Sequence, residues 1–78
     1  MNLKLSKETF DIDDVMSLAW GYRNSYHPEW RYGQTIFNIC ASNFPEEAGE
    51  LVGTNKDCFY YDDNILAFLK ALDKRLKG

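Results

Sequence analysis

The chain predicts an all-α fold: a compact bundle of three main helices plus one short helix, with an extended N-terminal arm. Three observations carry this. Apolar residues recur at helical spacing, best in Gly33, Ile36, Phe37, Cys40, Ala41 and Phe44. Acids and the two prolines fall where helices would begin, and basic residues gather near the C-terminus. No pair of alternating apolar segments is available to build a sheet: Leu3 and Leu5 flank Lys4, but no second strand offers an edge.

Residues 1–10 therefore read as an arm. A first helix spans about 11–24, capped by Thr9 or Asp11, with Asp13 and Asp14 at its positive dipole end. Ile12, Val15, Ala19, Tyr22 and Tyr26 form its inward stripe, widened by Met16 and Leu18. A second helix spans about 28–43, with Pro28 at its first position, where a missing N–H costs nothing. Gly33 costs about 1 kcal/mol relative to alanine there and marks a close helix–helix approach.

A short third helix spans about 45–52, with Asn43 as cap and Pro45, Glu46 and Glu47 in its first turn. Ala48, Leu51 and Val52 face inward, and Gly53 ends it in a left-handed conformation. Residues 54–61 are a loop whose apolar second half packs down on the domain. The last helix spans about 63–76, capped by Asp62 or Asp63, with Ile65, Phe68, Leu69, Leu72 and Leu76 inward. Its cations Lys70, Lys74, Arg75 and Lys77 suit the negative dipole end. Short connections make neighbouring helices roughly antiparallel.

Seventy-eight residues make one domain (1–78). Folding would reduce roughly 13,000 Å² of accessible surface to about 5,000 Å². Five Tyr, five Phe and two Trp supply large side chains for the core. A chain this short has little core left to enclose a deep substrate cavity. The net charge of −3 argues against direct nucleic-acid binding and against an anionic membrane surface. No apolar run is long enough to span a bilayer, and the first ten residues lack the core of a signal peptide, so a cytoplasmic location is expected. Cys40 and Cys58 read as free, buried thiols rather than a bridge.

Catalytic chemistry is not legible. His27 is the only histidine, and its place beside Pro28 suits a capping or surface role better than a general base. One histidine and two separated cysteines make no zinc pattern. Asp11-Ile12-Asp13-Asp14 begins like a calcium loop but has no glycine at the sixth position and no acid at the twelfth. The pairs Glu46/Glu47 and Asp62/Asp63 sit at helix starts, and Gly53-Thr54-Asn55-Lys56 lacks the spacing of a phosphate-binding loop. No enzyme, cofactor or metal is expected.

A binding surface is more legible. Residues 20–32 hold two Trp, three Tyr and two Arg, the types that dominate interface hot spots. Trp20, Arg23, Trp30 and Arg31 fall off the inward stripes and are the candidate protein-binding residues, joined by the acids Glu46, Glu47 and Glu50. The competing reading is that these aromatics finish a small core and the arginines pair with acids. In the loop, Asp57 and Tyr61 are possible contacts, against the reading that Phe59 and Tyr60 plug the bundle while the acids cap the last helix.

Arg31-x-Gly33-Gln34-x-x-x-Asn38, followed by Gly53-Thr54-x-x-Asp57-x-Phe59-Tyr60-x-Asp62 and a terminal amphipathic helix, resembles a set of short uncharacterised proteins of bacteria and their phages. The likeness covers about residues 30–72. It implies no activity, cofactor or partner, but it points toward phage or mobile-element biology. The expected function is a non-enzymatic protein-interaction module that binds and modulates a host protein, its carboxylates standing where phosphates would sit. The alternative is an oligomeric small-ligand binder, with aromatics stacking on a nucleotide base and Arg23 and Arg31 holding phosphate. A third reading is an assembly subunit that self-associates through the aromatic surface.

Overall fold

The computed structural model describes residues 4–78; Leu3 and the start of the predicted arm lie outside the described residues. Four helices follow in order: α1 (Ile12–Tyr26), α2 (Tyr32–Asn43), α3 (Pro45–Gly49) and α4 (Ile65–Lys77), the last preceded by a 3-10 turn (Asp62–Asn64). No strand occurs among the described residues, and none of their helices is long and apolar enough to cross a membrane. The radius of gyration is 11.3 Å, close to the roughly 11.5 Å expected of a compact chain this long.

α2 is the central helix, packing on α1, α3 and the 3-10 turn, while α4 closes against α1 and α3. That position turns the buried face of α2 from its predicted stripe: Thr35 and Ile39 join Gly33, Ile36 and Cys40 inside, while Phe37 and Ala41 are only half-buried. Thr35 can be buried because its hydroxyl donates to the Arg31 carbonyl at 2.9 Å. Phe68, Leu69 and Leu72 of α4 are fully buried, as the 3–4 spacing predicts.

Asp11 caps α1, its carboxylate accepting from the Asp14 N–H at 3.0 Å. The helix runs on to Tyr26, and its inward stripe is narrower than expected. Val15 and Ala19 are buried, but Leu18 and Tyr26 are exposed, Tyr26 packing beside the Tyr22 ring at 5.2 Å.

Pro28 does not start α2. Residues 27–31 form a turn, with the Trp30 N–H donating to the His27 carbonyl at 3.0 Å. The His27 carbonyl, which would open a helix starting at Pro28, is thus taken three residues on, and Arg23 Nε holds the turn by donating to the Trp30 carbonyl at 2.6 Å. The ladder begins one residue later, at the Arg31 carbonyl with the Thr35 N–H.

Asn43 does not cap α3. It is the last residue of α2; its Nδ2 donates to the Ile39 carbonyl, and its Oδ1 accepts from the Leu5 N–H at 2.9 Å. The arm is held at further points. Phe10 is buried edge-on against Phe44 at 5.9 Å, and its carbonyl accepts from Lys77 Nζ at 2.7 Å. Lys7 pairs with Glu47 at 3.0 Å. α3 ends at Gly49 and a turn carries the chain to Gly53, whose φ of +76° is the left-handed conformation expected there. Val52 points out rather than in, at 55% exposed.

Cys40 and Cys58 are free and fully buried. Burial pushes both thiols up to about 12, with each other's charge adding at Cys40 and the Asp57 carboxylate adding at Cys58. The thiolate is the reactive form. Native protein at pH 8 should therefore resist iodoacetamide, and both cysteines should label after denaturation, as read by mass spectrometry. The unfolded chain gives up these protons first, from about pH 9, so the thiols lower folding stability as pH rises from there toward 12.

Candidate functional site

The site is built on a clasp between α2 and the loop before α4. The N-cap residue of α2, Arg31, makes no side-chain cap bond. Asp62, 29 positions on from Gly33, supplies one: its Oδ1 accepts from the Gly33 N–H at 2.9 Å. The acid expected to cap the last helix thus caps an earlier one, and Asn64 stands at the start of α4 without a side-chain cap bond. The close approach expected at Gly33 is real, but the neighbour is the loop backbone and not a helix. A Cβ on Gly33 would stand 2.0 Å from the Cys58 carbonyl oxygen. Cys58 Sγ in turn donates to the Gly33 carbonyl at 3.3 Å.

Asp57 shapes the loop from inside. Its Oδ2 accepts from the Gly53 N–H and its Oδ1 from the Phe59 N–H, both at 2.9 Å, while its carbonyl accepts from Asn64 Nδ2 at 3.0 Å. Phe59 packs edge-on against Phe37 at 5.7 Å, but Tyr60 is 66% exposed and does not plug the bundle. The Gly-Thr…Asp-x-Phe-Tyr-x-Asp pattern thus supplies turn bonds and the α2 cap.

Beside the clasp lies an open groove of about 530 Å³. α1 contributes Met16, Ser17 and Trp20, α2 contributes Tyr32 and Ile36, and the far wall is Asp62 and Ile65. Trp20 is 57% exposed and stacks on Tyr32, with ring centroids 5.0 Å apart. The Tyr32 hydroxyl is buried and has no hydrogen-bond partner among the described residues. Desolvation pushes that phenol above its usual range, partly offset by Arg23. Asp62 Oδ1 is pinned by Gly33, and no bond to its second oxygen occurs among the described residues.

The predicted aromatic and arginine residues do gather at one corner, with divided roles. Arg23 donates from Nε to the Trp30 carbonyl and from Nη1 to Asn24 Oδ1, and its guanidinium lies 5.5 Å from the centre of the Tyr32 ring. It clamps the turn between α1 and α2. Trp30 is half-buried and stacked flat on His27 at 3.7 Å, so His27 serves as a platform for an aromatic ring. Trp20 and Arg31 are exposed.

The acids in and just after α3 are not on the groove's lining. Glu46 is exposed, Glu50 pairs with Arg75 at 2.9 Å, and the Lys7 bond holds the Glu47 carboxyl below its usual range. Tyr61 is 66% exposed, next to Asp62. Reading the sequence missed Met16, Ser17, Tyr32, Ile36, Asp62 and Ile65 as a site. One signal was present: Met16 and Trp20 are four apart on α1, flanking the buried stripe of Val15 and Ala19.

No protein-family model matches the chain, and no curated protein or solved structure matches it.

Proposed function

We propose that the chain is a non-enzymatic protein-interaction module, a phage or mobile-element accessory protein that works in the cytoplasm by binding and modulating a host protein. The observation that carries this reading is Trp20, left 57% exposed on the wall of an open, mostly apolar groove. Covering the rest of that side chain is worth on the order of 3 kcal/mol, the scale of a binding hot spot. Arg31 and Tyr61, exposed and next in sequence to the lining residues Tyr32 and Asp62, suit a polar rim of the kind that surrounds such anchors. The setting rests on the resemblance of the 30–72 segment to bacterial and phage proteins.

The test is capture from host lysate with tagged wild type beside Trp20→Ala. A stoichiometric protein held by the wild type and lost by the variant supports the reading; equal capture by both sinks it. Trp20→Ala is the cleaner variant because Trp30 is half-buried on His27 and its segment is held by Arg23.

A second reading, binding of a small anionic ligand such as a nucleotide, draws on a different place from the one first expected. Arg23 is engaged within the protein, but an open cleft of about 810 Å³ along α4 is lined by Lys56, Lys70, Lys74 and Arg75. A thermal shift with phosphate or nucleotides that Lys70→Ala/Lys74→Ala abolishes would favour it.

A further inference from the structure

We infer that the groove takes a basic amphipathic helix of the partner, one Lys or Arg of which lies along Trp20 and reaches Asp62. This rests on the interaction-module reading and names the chemistry of the partner.

Asp62 decides the sign. Any occupant that covers Trp20, Met16 and Ile65 also takes water away from the Asp62 carboxylate, which forms part of the same wall. A carboxylate desolvated without a partner charge is costly, so a purely apolar occupant is disfavoured and an acidic one or a phosphate more so. Only a cation turns that penalty into an attraction. The carboxylate is also prepared for the task. The Gly33 N–H holds Oδ1, which orients the group and leaves the second oxygen for an incoming donor.

The surroundings agree. Asp13 lies three and four positions before Met16 and Ser17, on the same side of α1, and Asp63 follows Asp62; both are exposed. Of the cations nearby in sequence, Arg23 is held by the neutral Trp30 carbonyl and Asn24 amide and keeps its charge, so Arg23 and Arg31 stand against three acids and the balance stays negative. A Lys or Arg also matches the apolar part of the groove, since its methylene stem packs on apolar surface while the charged end reaches on. The open indole face adds a cation–π contribution. Apolar contacts with a cation among them suit one face of a basic amphipathic helix, a recurring occupant of grooves of this kind.

The experiment titrates the full chain with two synthetic amphipathic peptides that share their leucine positions, one carrying lysines and the other glutamates, by calorimetry and amide chemical-shift mapping. The lysine peptide should bind at least about tenfold more tightly than the glutamate one, shifting amides of α1 and the 3-10 turn. Trp20→Ala should weaken it about tenfold or more. Asp62→Asn, whose amide oxygen can still accept from Gly33, should weaken it about fivefold. Asp13→Asn/Asp63→Asn provides a second charge test that leaves the clasp intact.

Equal affinity for the two peptides, or no loss in either charge variant, overturns the inference. If Trp20-dependent capture of a host protein persists alongside that result, the interaction-module reading stands and only the basic partner is wrong. If Trp20→Ala alters neither capture nor peptide binding, both fall. Self-association of the wild type through Trp20, uncontested by the lysine peptide, would make a second copy the occupant and overturn the inference.

Discussion

Gly33→Ala should melt far below the wild type, while Gly21→Ala melts slightly above it. Both glycines lie inside helices, so both substitutions gain about 1 kcal/mol of helix propensity. The difference lies in what the new methyl meets. At Gly21 there is nothing within 4 Å. At Gly33 the methyl would stand 2.0 Å from the Cys58 carbonyl oxygen and 3.0 Å from Asp62 Oδ1. The first is backbone and cannot rotate aside, so the loop has to lift. Overpacking of this kind costs about 3 kcal/mol. Lifting the loop also strains the Asp62–Gly33 and Cys58–Gly33 bonds, at about 1 kcal/mol or more each. The net loss of about 2–4 kcal/mol corresponds to a fall of roughly 10–25 °C in Tm for a domain of this size. Circular dichroism melts of the three proteins would read it. Native Gly33→Ala should also expose Cys58 to iodoacetamide while Cys40, about two turns along α2 from Gly33, stays protected. Equal melting of the two variants would mean that the loop does not rest on α2.

The same clasp shows where the sequence was legible and where it was not. The buried stripe of α4 and most of that of α2 follow from residue spacing alone, because a helix face repeats and a core is continuous. The left-handed Gly53 follows from chemistry confined to one residue. Errors arose where a distant group competed for a local one. Pro28 carries every mark of a helix start, yet the segment after it closes as a turn that Arg23 holds through the Trp30 carbonyl. Asp62 stands where a cap for α4 belongs, yet it serves Gly33. A carboxylate before a helix satisfies either helix equally well on paper, and only the packing selects one. The groove was hidden for a related reason. Met16, Ile36 and Ile65 sit on or beside core stripes, and periodicity does not say which stripe residues the neighbouring helix fails to cover. Trp20 was legible because it falls off the stripe altogether. Trp30 also falls off its stripe, but His27 and Arg23 hold its corner of the fold.

Phe68→Ala and Trp20→Ala remove aromatic rings from opposite kinds of place, and their effects should separate cleanly. Phe68 is fully buried at the centre of the α4 stripe, its ring 5.6 Å from Phe37, which in turn meets Phe59 at 5.7 Å. Removing it leaves a cavity between α4, α2 and the loop, and such deletions cost about 3–5 kcal/mol. A chain this long has only about 4–12 kcal/mol of stability in total. Phe68→Ala should therefore lose a large fraction of the total stability, with its urea midpoint lowered by a similar fraction. Trp20 stacks on Tyr32 on one side and is more than half exposed, so its loss forfeits the ring contact and the smaller, covered part of its area, about 1–3 kcal/mol. Its urea midpoint should move less than that of Phe68→Ala, while partner capture disappears. That contrast makes the binding test interpretable: a partner lost with Phe68→Ala reports only unfolding, whereas one lost with Trp20→Ala in the folded variant reports a contact. Comparable destabilisation by the two variants would place Trp20 in the core and remove the groove as a site.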